Sequence, residues 1–175
     1  ITIITHRNYD RIDNVSVFLI ASPIIKKWHP QLTIGLQKQW MDIEHNSRML
    51  SMDRPLFIGR FNNGIQFPYG WTLHVDLFFQ GKGDFQNIYI NKNVFMMDAS
   101  LTKSFFDDRL SFNLQGIDLT HGRKDGNVIY NKHMDLTVNN VTDSREVRLT
   151  VRYKFNTTKN KYKGKGAAEE EIRRL

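Results

Sequence analysis

Two pairs of side chains in the sequence have the types and spacing needed for acid–base or metal chemistry. His74 and Asp76 lie two residues apart, and so do His133 and Asp135. In an extended segment this spacing puts both side chains on one face, where an imidazole and a carboxylate could share a proton or hold a metal ion. With its neighbours in the same long segment, the second pair gives one candidate catalytic set: His121, Asp125, His133 and Asp135.

No nucleophile with a positioned base accompanies these pairs. The sequence has no cysteine, which excludes disulfides and thiolate metal sites. We therefore interpret the pairs as solvated polar residues. Neither a catalytic site, a metal site nor a cofactor is predicted, and the chain is not expected to be an enzyme.

Composition narrows the protein class further. The 175 residues are 40% hydrophobic, enough for one domain or a sizeable piece of a larger one. The longest apolar run is residues 17–21, far short of the ~20 residues that a membrane-spanning helix needs. No leader-like stretch begins the sequence, which we interpret as a fragment or a mature segment. The net charge of +7 would suit a nucleic-acid-binding protein. The sequence has no helix-turn-helix pattern, no zinc-ligand spacing and no stacked-aromatic pattern, so nucleic acid is not predicted as a partner.

The segment 147–155 has the clearest strand pattern in the sequence, because apolar and polar side chains alternate through it without interruption. A period of two is typical of a β-strand with two different faces. In an outer-membrane β-barrel, such alternation places one set against lipid and the other toward the lumen. The pattern thus predicts a closing barrel strand whose lipid-facing residues are Val147, Leu149, Val151, Tyr153 and Phe155.

Similar alternation recurs along the chain and predicts an all-β fold, an antiparallel up-and-down meander of about eight strands. It would form the C-terminal segment of a transmembrane β-barrel, spanning residues 1–155, followed by a charged periplasmic tail at 156–175. The predicted strands are 1–8, 14–22, 31–40, 55–67, 71–81, 93–105, 110–119 and 147–155.

Charged side chains mostly fall on the predicted lumen face, which avoids the ~2–4 kcal/mol cost of a Lys or Arg at the bilayer midplane. Lys38 and Lys103 fall on the lipid face, each near a strand end where that cost is smaller. The predicted lumen-facing residues are Arg60, His74, Asp76, Asp98, Arg148 and Arg152.

The predicted connections alternate in length. They are short around Pro23, at 68–70 and at 106–109, and long at 41–54, 82–92 and 120–144. Barrels of the outer membrane have short periplasmic turns and long external loops. Aromatic residues crowd the short-turn rim, as expected of an interfacial girdle. The girdle comprises Trp28, Phe67, Tyr69, Trp71, Phe105, Tyr153 and Phe155.

The C-terminal block carries a family resemblance. A strand ending Arg152-Tyr153-Lys154-Phe155 is followed by Lys161-Tyr162-Lys163-Gly164, a small-residue stretch and an acidic segment ending Arg174-Leu175. This combination resembles the C-terminal end of the outer-membrane β-barrel family that accompanies TonB-dependent receptors in Gram-negative bacteria. The hairpin at Trp71 and the turn at 107–108 also resemble that family, whereas Lys165 and Ala168 depart from it.

The resemblance implies transport: the wall of a TonB-dependent receptor that takes up a nutrient across the outer membrane. It implies a barrel of ~22 strands whose last eight are here, with outer-membrane lipid, an upstream plug domain, the remaining strands, a TonB-type energy-transducing complex and the outer-membrane assembly machinery as partners. Eight strands also suffice to close a small barrel. A small outer-membrane barrel with a structural, adhesion or enzymatic role is therefore the alternative.

Overall fold

The computed structural model describes residues 11–155, which form thirteen β-strands and one short 3-10 turn. The predicted strand 1–8 and the tail 156–175 lie outside the described residues. The strands are β1 (Asp13–Ala21), β2 (Trp28–Trp40), β3 (Asp42–His45), β4 (Arg48–Ser51), β5 (Leu56–Phe67), β6 (Trp71–Gln80), β7 (Gly83–Phe85), β8 (Ile88–Ile90), β9 (Val94–Phe105), β10 (Leu110–Ile117), β11 (Lys124–Tyr130), β12 (Asp135–Val141) and β13 (Glu146–Tyr153).

The main sheet has seven antiparallel strands in the order β1-β2-β5-β6-β9-β10-β13. Its order follows the chain, so the predicted all-β meander is confirmed. The sheet is open, because among the described residues β1 and β13 each have a main-sheet neighbour on one side only. The outer edges of β1 and β13 have no backbone partner among residues 11–155, and in a membrane such backbone groups need hydrogen-bond partners.

The register keeps one mainly apolar face in phase across all seven strands. A one-residue slip between any two strands would move a whole apolar set to the other face. No slip occurs across the sheet, as the row of directly paired residues through its middle shows: Ile65, Leu73, Leu101, Leu114 and Leu149.

Three short connections lie at one rim of the main sheet. Residues 22–27 join β1 to β2, the 3-10 turn Pro68–Gly70 joins β5 to β6, and 106–109 join β9 to β10. Tyr69 and Gly70 have φ of 62° and 76°, a left-handed conformation in which glycine carries no steric penalty. An added Cβ at Gly70 would also lie 2.8 Å from the Ser104 carbonyl oxygen, so only glycine fits this turn.

The three long connections at the opposite rim fold into a cap, which we define as strands β3, β4, β7, β8, β11 and β12. β3 pairs with β4, and the other four form a sheet in the order β12-β11-β8-β7. The strands within 41–54 and 82–92 were not predicted from the sequence, whereas 120–144 forms the hairpin extension beyond the rim that the apolar residues at 128–138 suggest. These strands have three to seven residues, which is too short for a reliable period of two in most of them.

Burial is concentrated beside the cap rather than under the main sheet. Among the described residues, the buried apolar side chains lie in the cap or at strand ends beside it: Met41, Ile43, Met52, Leu56 and Val94. Met41, Ile43 and Met52 form a cluster against Leu50, Tyr89 and Tyr130. The apolar face of the main sheet is instead left exposed.

Candidate functional site: the two faces of the sheet and the cap

The apolar face is exposed to a degree that a water-soluble sheet would not tolerate. On β13, Val147 is 77% exposed and Leu149 is 65% exposed, and Val151 and Tyr153 share the same face. Phe155 follows the strand, with its ring edge-on to Tyr153 at 4.6 Å between centroids. A contiguous apolar surface of this kind indicates a contact with lipid or protein.

Aromatic side chains cluster where the apolar face meets the short connections. Phe67 pairs directly with Trp71, and Lys103 lies opposite Trp71 on β9. The Lys103 ammonium group lies 5.0 Å from the Trp71 ring and 5.1 Å from the Phe105 ring, and it donates to the Tyr69 carbonyl. The aromatic rings and the Tyr69 carbonyl thus hold the Lys103 ammonium group at the rim of the apolar face.

A second aromatic belt lies at the cap end of the same face, and sequence reasoning missed it. Phe79 pairs with Phe95 and packs against Phe57 at 5.8 Å between centroids. Trp40 ends β2, and its ring lies 5.2 Å from the Lys38 ammonium group. The sequence does contain a signal for this second belt, because its aromatic residues have the same strand phase as those of the first belt at the other end of the strands.

The opposite face carries the six residues predicted to face a lumen. Asn62, Asp76 and Asp98 form one cross-strand row. Another row contains His74, Ser100, Gln115 and Arg148, and Arg152 pairs with Ser111. Arg148 also forms a bidentate contact with Glu146, and both hydrogen bonds measure 3.0 Å. The sequence alone did not indicate this pair.

This face is not uniformly polar. Phe18 and Ile20 of β1 point to it, and Phe78 and Met96 lie in the same row as Ile20. An added Cβ at Gly35 would lie 2.5 Å from the Phe18 ring, so the ring covers the glycine backbone. The apolar residues form a strip close to the cap.

A cavity of about 260 Å³ opens on this strip below the cap. Arg60 and Phe78 come from one cross-strand row, and Asp76 and Asp98 from the row next to it, farther from the cap. Arg123 contributes from the connection that follows β10. The cavity therefore combines two cations, acidic residues and an apolar wall.

Asp118 fixes the connection beside this cavity. It is 1% exposed and accepts hydrogen bonds from Gly122 N at 2.7 Å, Arg123 N at 3.2 Å and Ser144 Oγ. Burial works to raise the pKa of its carboxyl group, but these donors outweigh burial and hold the pKa below its usual value. Asp118 N also donates to Asp98 Oδ1 at 2.7 Å, which ties the connection to β9.

The cap is held to the sheet by buried polar groups. The Gln39 amide donates to Gln86 O at 2.8 Å and to Met52 O at 3.2 Å, and it accepts from Gln86 N at 2.7 Å. Asp84 accepts from Arg54 N at 2.9 Å, and burial raises the pKa of its carboxyl group. One glutamine thus links two of the three long connections.

Hairpin tips from distant parts of the sequence also meet in the cap. His45 lies 3.1 Å from Asp135 and 2.7 Å from the Asn131 carbonyl, and Lys132 lies 2.7 Å from Glu44. Asp135 is thus paired with His45 rather than with His133.

The candidate catalytic set is not assembled into a site. His133 and Asp125 have no side-chain hydrogen bond among residues 11–155, and Asp135 is engaged by His45. His74 and Asp76 share a face but are not bonded to each other, and the His74 ring covers Gly64 instead. In the part of the chain that the structure describes, no three His, Cys, Asp or Glu residues are grouped to hold a metal ion.

An antiparallel meander with one apolar and one polar face defines a wall segment of a membrane barrel. A family model described as outer membrane protein beta-barrel family matches residues 1–153, and the chain belongs to this family. The cell outer membrane is accordingly its location, and a barrel-wall role fits a structural or transport protein. No curated protein and no solved structure matches the chain. Residues 11–155 include no helix of sufficient length and apolarity to span a membrane.

Proposed function

We propose that this chain is part of the barrel wall of a TonB-dependent receptor that takes part in nutrient uptake across the outer membrane. The apolar face of the main sheet contacts lipid and the polar face lines the lumen. The observation that carries the proposal is the register: seven strands keep one mainly apolar face in phase, while the other face holds a charged cavity.

The spacing of the two aromatic belts supports a lipid contact. Phe95 and Phe105 end the apolar face on β9, and ten residue steps at ~3.3 Å give ~33 Å along the strand. With the ~40° tilt of barrel strands this becomes ~25 Å, the height of the apolar band in outer-membrane barrels. Trp71 and Phe79 end the apolar face on β6, eight residue steps apart, which is a shorter span than on β9. The belts thus lie at the depths where aromatic rings prefer to be.

We assign the main sheet to a large barrel, as the family resemblance implies, rather than to the small eight-stranded alternative. β1 and β13 are the outer strands of the main sheet and are not paired with each other among the described residues. The remaining strands of the receptor pair with these edges, a plug domain fills the lumen, and a TonB-type complex supplies energy. In this assignment the short connections are periplasmic, and residues 156–175 form a periplasmic tail.

Cysteine scanning tests the wall role. In the full-length receptor in the outer membrane, Cys at Asn113 and at Leu114 sample neighbouring positions on opposite faces of β10. We expect a water-soluble maleimide that enters the lumen to label the Cys at 113, and a membrane-partitioning maleimide alone to label the Cys at 114. Equal labelling of both positions by the water-soluble reagent would contradict the wall role.

A second measurement addresses energy coupling. We expect the periplasmic domain of the TonB protein to bind the full-length receptor in detergent solution. A receptor that lacks its upstream segment should not be bound. Capture of neither form would leave the outer-membrane barrel in place and would favour the small structural or adhesion barrel.

A further inference from the structure

We propose that the cavity on the polar face binds a small zwitterionic ligand, an amino acid or a short peptide. Arg60 and Arg123 hold its carboxylate, and Asp76 and Asp98 hold its ammonium group. This inference names a substrate class for the proposed receptor, and it rests on the polar face lining the lumen.

The sheet holds charges of both signs in fixed rows. Asp76 and Asp98 are directly opposite each other on β6 and β9. The Cβ atoms of directly paired residues lie only ~5 Å apart. Two like charges on such a pair destabilise the sheet unless a cation binds between them. Arg60 pairs with Phe78 two residues nearer the cap. The cavity thus has an anionic end deep on the wall and a cationic end below the cap.

These charges are not used up by the protein itself. Among residues 11–155, Arg60, Arg123 and Asp76 form no ion pair and no side-chain hydrogen bond. The Arg60 guanidinium lies 5.6 Å from the Phe78 ring, which leaves its donor edge available. Asp98 uses one oxygen, Oδ1, to accept from Asp118 N.

Several other charged residues of the same chain are paired. Arg148 bonds Glu146, Lys132 contacts Glu44, and Arg54 lies 3.6 Å from Asp84. In the cavity, guanidinium groups and carboxylates line the same space but form no ion pair with one another. A ligand with both charges would satisfy both ends at once.

Simpler ligands fit the cavity less well. An inorganic anion would leave Asp76 and Asp98 uncompensated, and a divalent cation would be repelled by Arg60 and Arg123. The cavity volume of about 260 Å³ lies just under the ~300–1,000 Å³ of sites for drug-sized ligands, which suits an amino acid or a dipeptide. Phe78 and Met96 in the lining offer an apolar wall for one side chain.

Calorimetry on the full-length receptor in detergent tests the proposal with the dipeptide Ala-Phe and three capped forms. These forms are N-acetylated, C-amidated or capped at both ends. We expect Ala-Phe to bind, each single cap to weaken binding ~10-fold or more because one charge-assisted contact is lost, and the doubly capped form not to bind.

Two variants assign the ends of the ligand. Arg60→Gln should weaken Ala-Phe ~10-fold but hardly change the already weak binding of the amidated form, since that form has no carboxylate to lose. Asp76→Asn should show the same selectivity toward the acetylated form. Arg152→Gln, which removes a polar-face cation outside the cavity, is the matched control and should bind Ala-Phe normally.

Absence of binding by Ala-Phe and by phenylalanine at millimolar concentration would overturn the proposal, as would equal affinity for the free and doubly capped peptides. The lumen role is judged separately by labelling of the Cys at Asn113. If the Cys at position 113 is labelled but no peptide binds, only the ligand assignment is wrong. If this Cys is not labelled, the proposed wall role is wrong as well.

Discussion

The indole N–H of Trp28 donates a hydrogen bond to the side-chain oxygen of Asn63 on the apolar face of the main sheet. Asn63 is the polar residue of an otherwise apolar row that includes Val75, Ala99 and Val147. An unpaired amide costs several kcal/mol in a hydrocarbon environment. The contact therefore explains how an asparagine is accommodated there.

Trp28→Phe should keep the ring but remove this donor, and it should lower the free energy of unfolding by ~1–3 kcal/mol. Urea unfolding of the full-length protein from lipid vesicles measures the change. Trp40→Phe is the control, because the Trp40 indole forms no hydrogen bond with a described side chain. Adding Asn63→Leu to Trp28→Phe should restore stability, and an unrescued double variant would refute the pairing as the cause.

Leu149→Arg should block membrane assembly, whereas Thr150→Arg should be tolerated. Leu149 lies in the middle row of the apolar face, where an Arg facing lipid costs ~2–4 kcal/mol, and Thr150 pairs with Asn113 on the polar face. Folding yields of the two variants in lipid vesicles provide the comparison. Equal yields would show that the face assignment is wrong.

Single cysteines test which rim is external, and the sequence contributes no cysteine to the background. Asp84 and Asp125 lie in the cap, while Asp108 lies in the short connection between β9 and β10. In the full-length protein on intact cells, an impermeant maleimide should label Cys at Asp125 and should reach Cys at Asp108 only after the outer membrane is opened. Asp84 belongs to the same rim but is buried, so Asp125 is the position to probe. Labelling at Asp108 on intact cells would reverse the orientation.

Phe155→Ala should lower the level of the full-length protein in the outer membrane. The resemblance to TonB-associated barrels implies that the assembly machinery reads a strand ending in an aromatic residue, and Phe155 packs against Tyr153 at the end of β13. Deletion of residues 167–175 is the control and should hardly change that level. If the deletion alone abolishes assembly, the signal lies in the tail.

Asp118→Asn should destabilise the connection after β10 by ~1–3 kcal/mol at neutral pH, because backbone and hydroxyl donors lose a charged acceptor. The folded-state pKa is lowered, so the wild-type stabilisation is present above the ordinary pKa of 3.8 and is lost as the pH falls through the lowered value. Hydrogen exchange of residues 118–123 at pH 7 and pH 3 measures both effects. Asp125→Asn should change neither, and an equal effect from both variants would contradict the role of Asp118.

The main sheet could be predicted from sequence because its strands are long and two-faced. Each has eight to thirteen residues, enough for a period of two to be recognised, and the alternation also fixes the register. Seven of the eight predicted strands occur in this sheet, and the eighth falls outside the described residues. The aromatic rim followed from the same pattern.

The cap could not be predicted in this way. His45 and Asp135 meet through tertiary packing of two hairpins, and no local pattern in either segment indicates the other. Gln39 has the same polar-face phase as Gln37, yet it is buried because Gln86 packs over it. The cavity was missed for the same reason, since Arg123 comes from a connection that sequence analysis treated as a loop.

The chain-ordered meander also has a kinetic consequence. Most neighbours in the main sheet are joined by short connections or by one cap hairpin, so each pairing requires the closure of a small loop, which costs little entropy. Local pairings of this kind favour fast folding. The pairing of β13 with β10 is the most demanding, because residues 118–145 must first be accommodated above the rim. Folding should therefore proceed strand by strand, with the C-terminal strand among the last to join its neighbour.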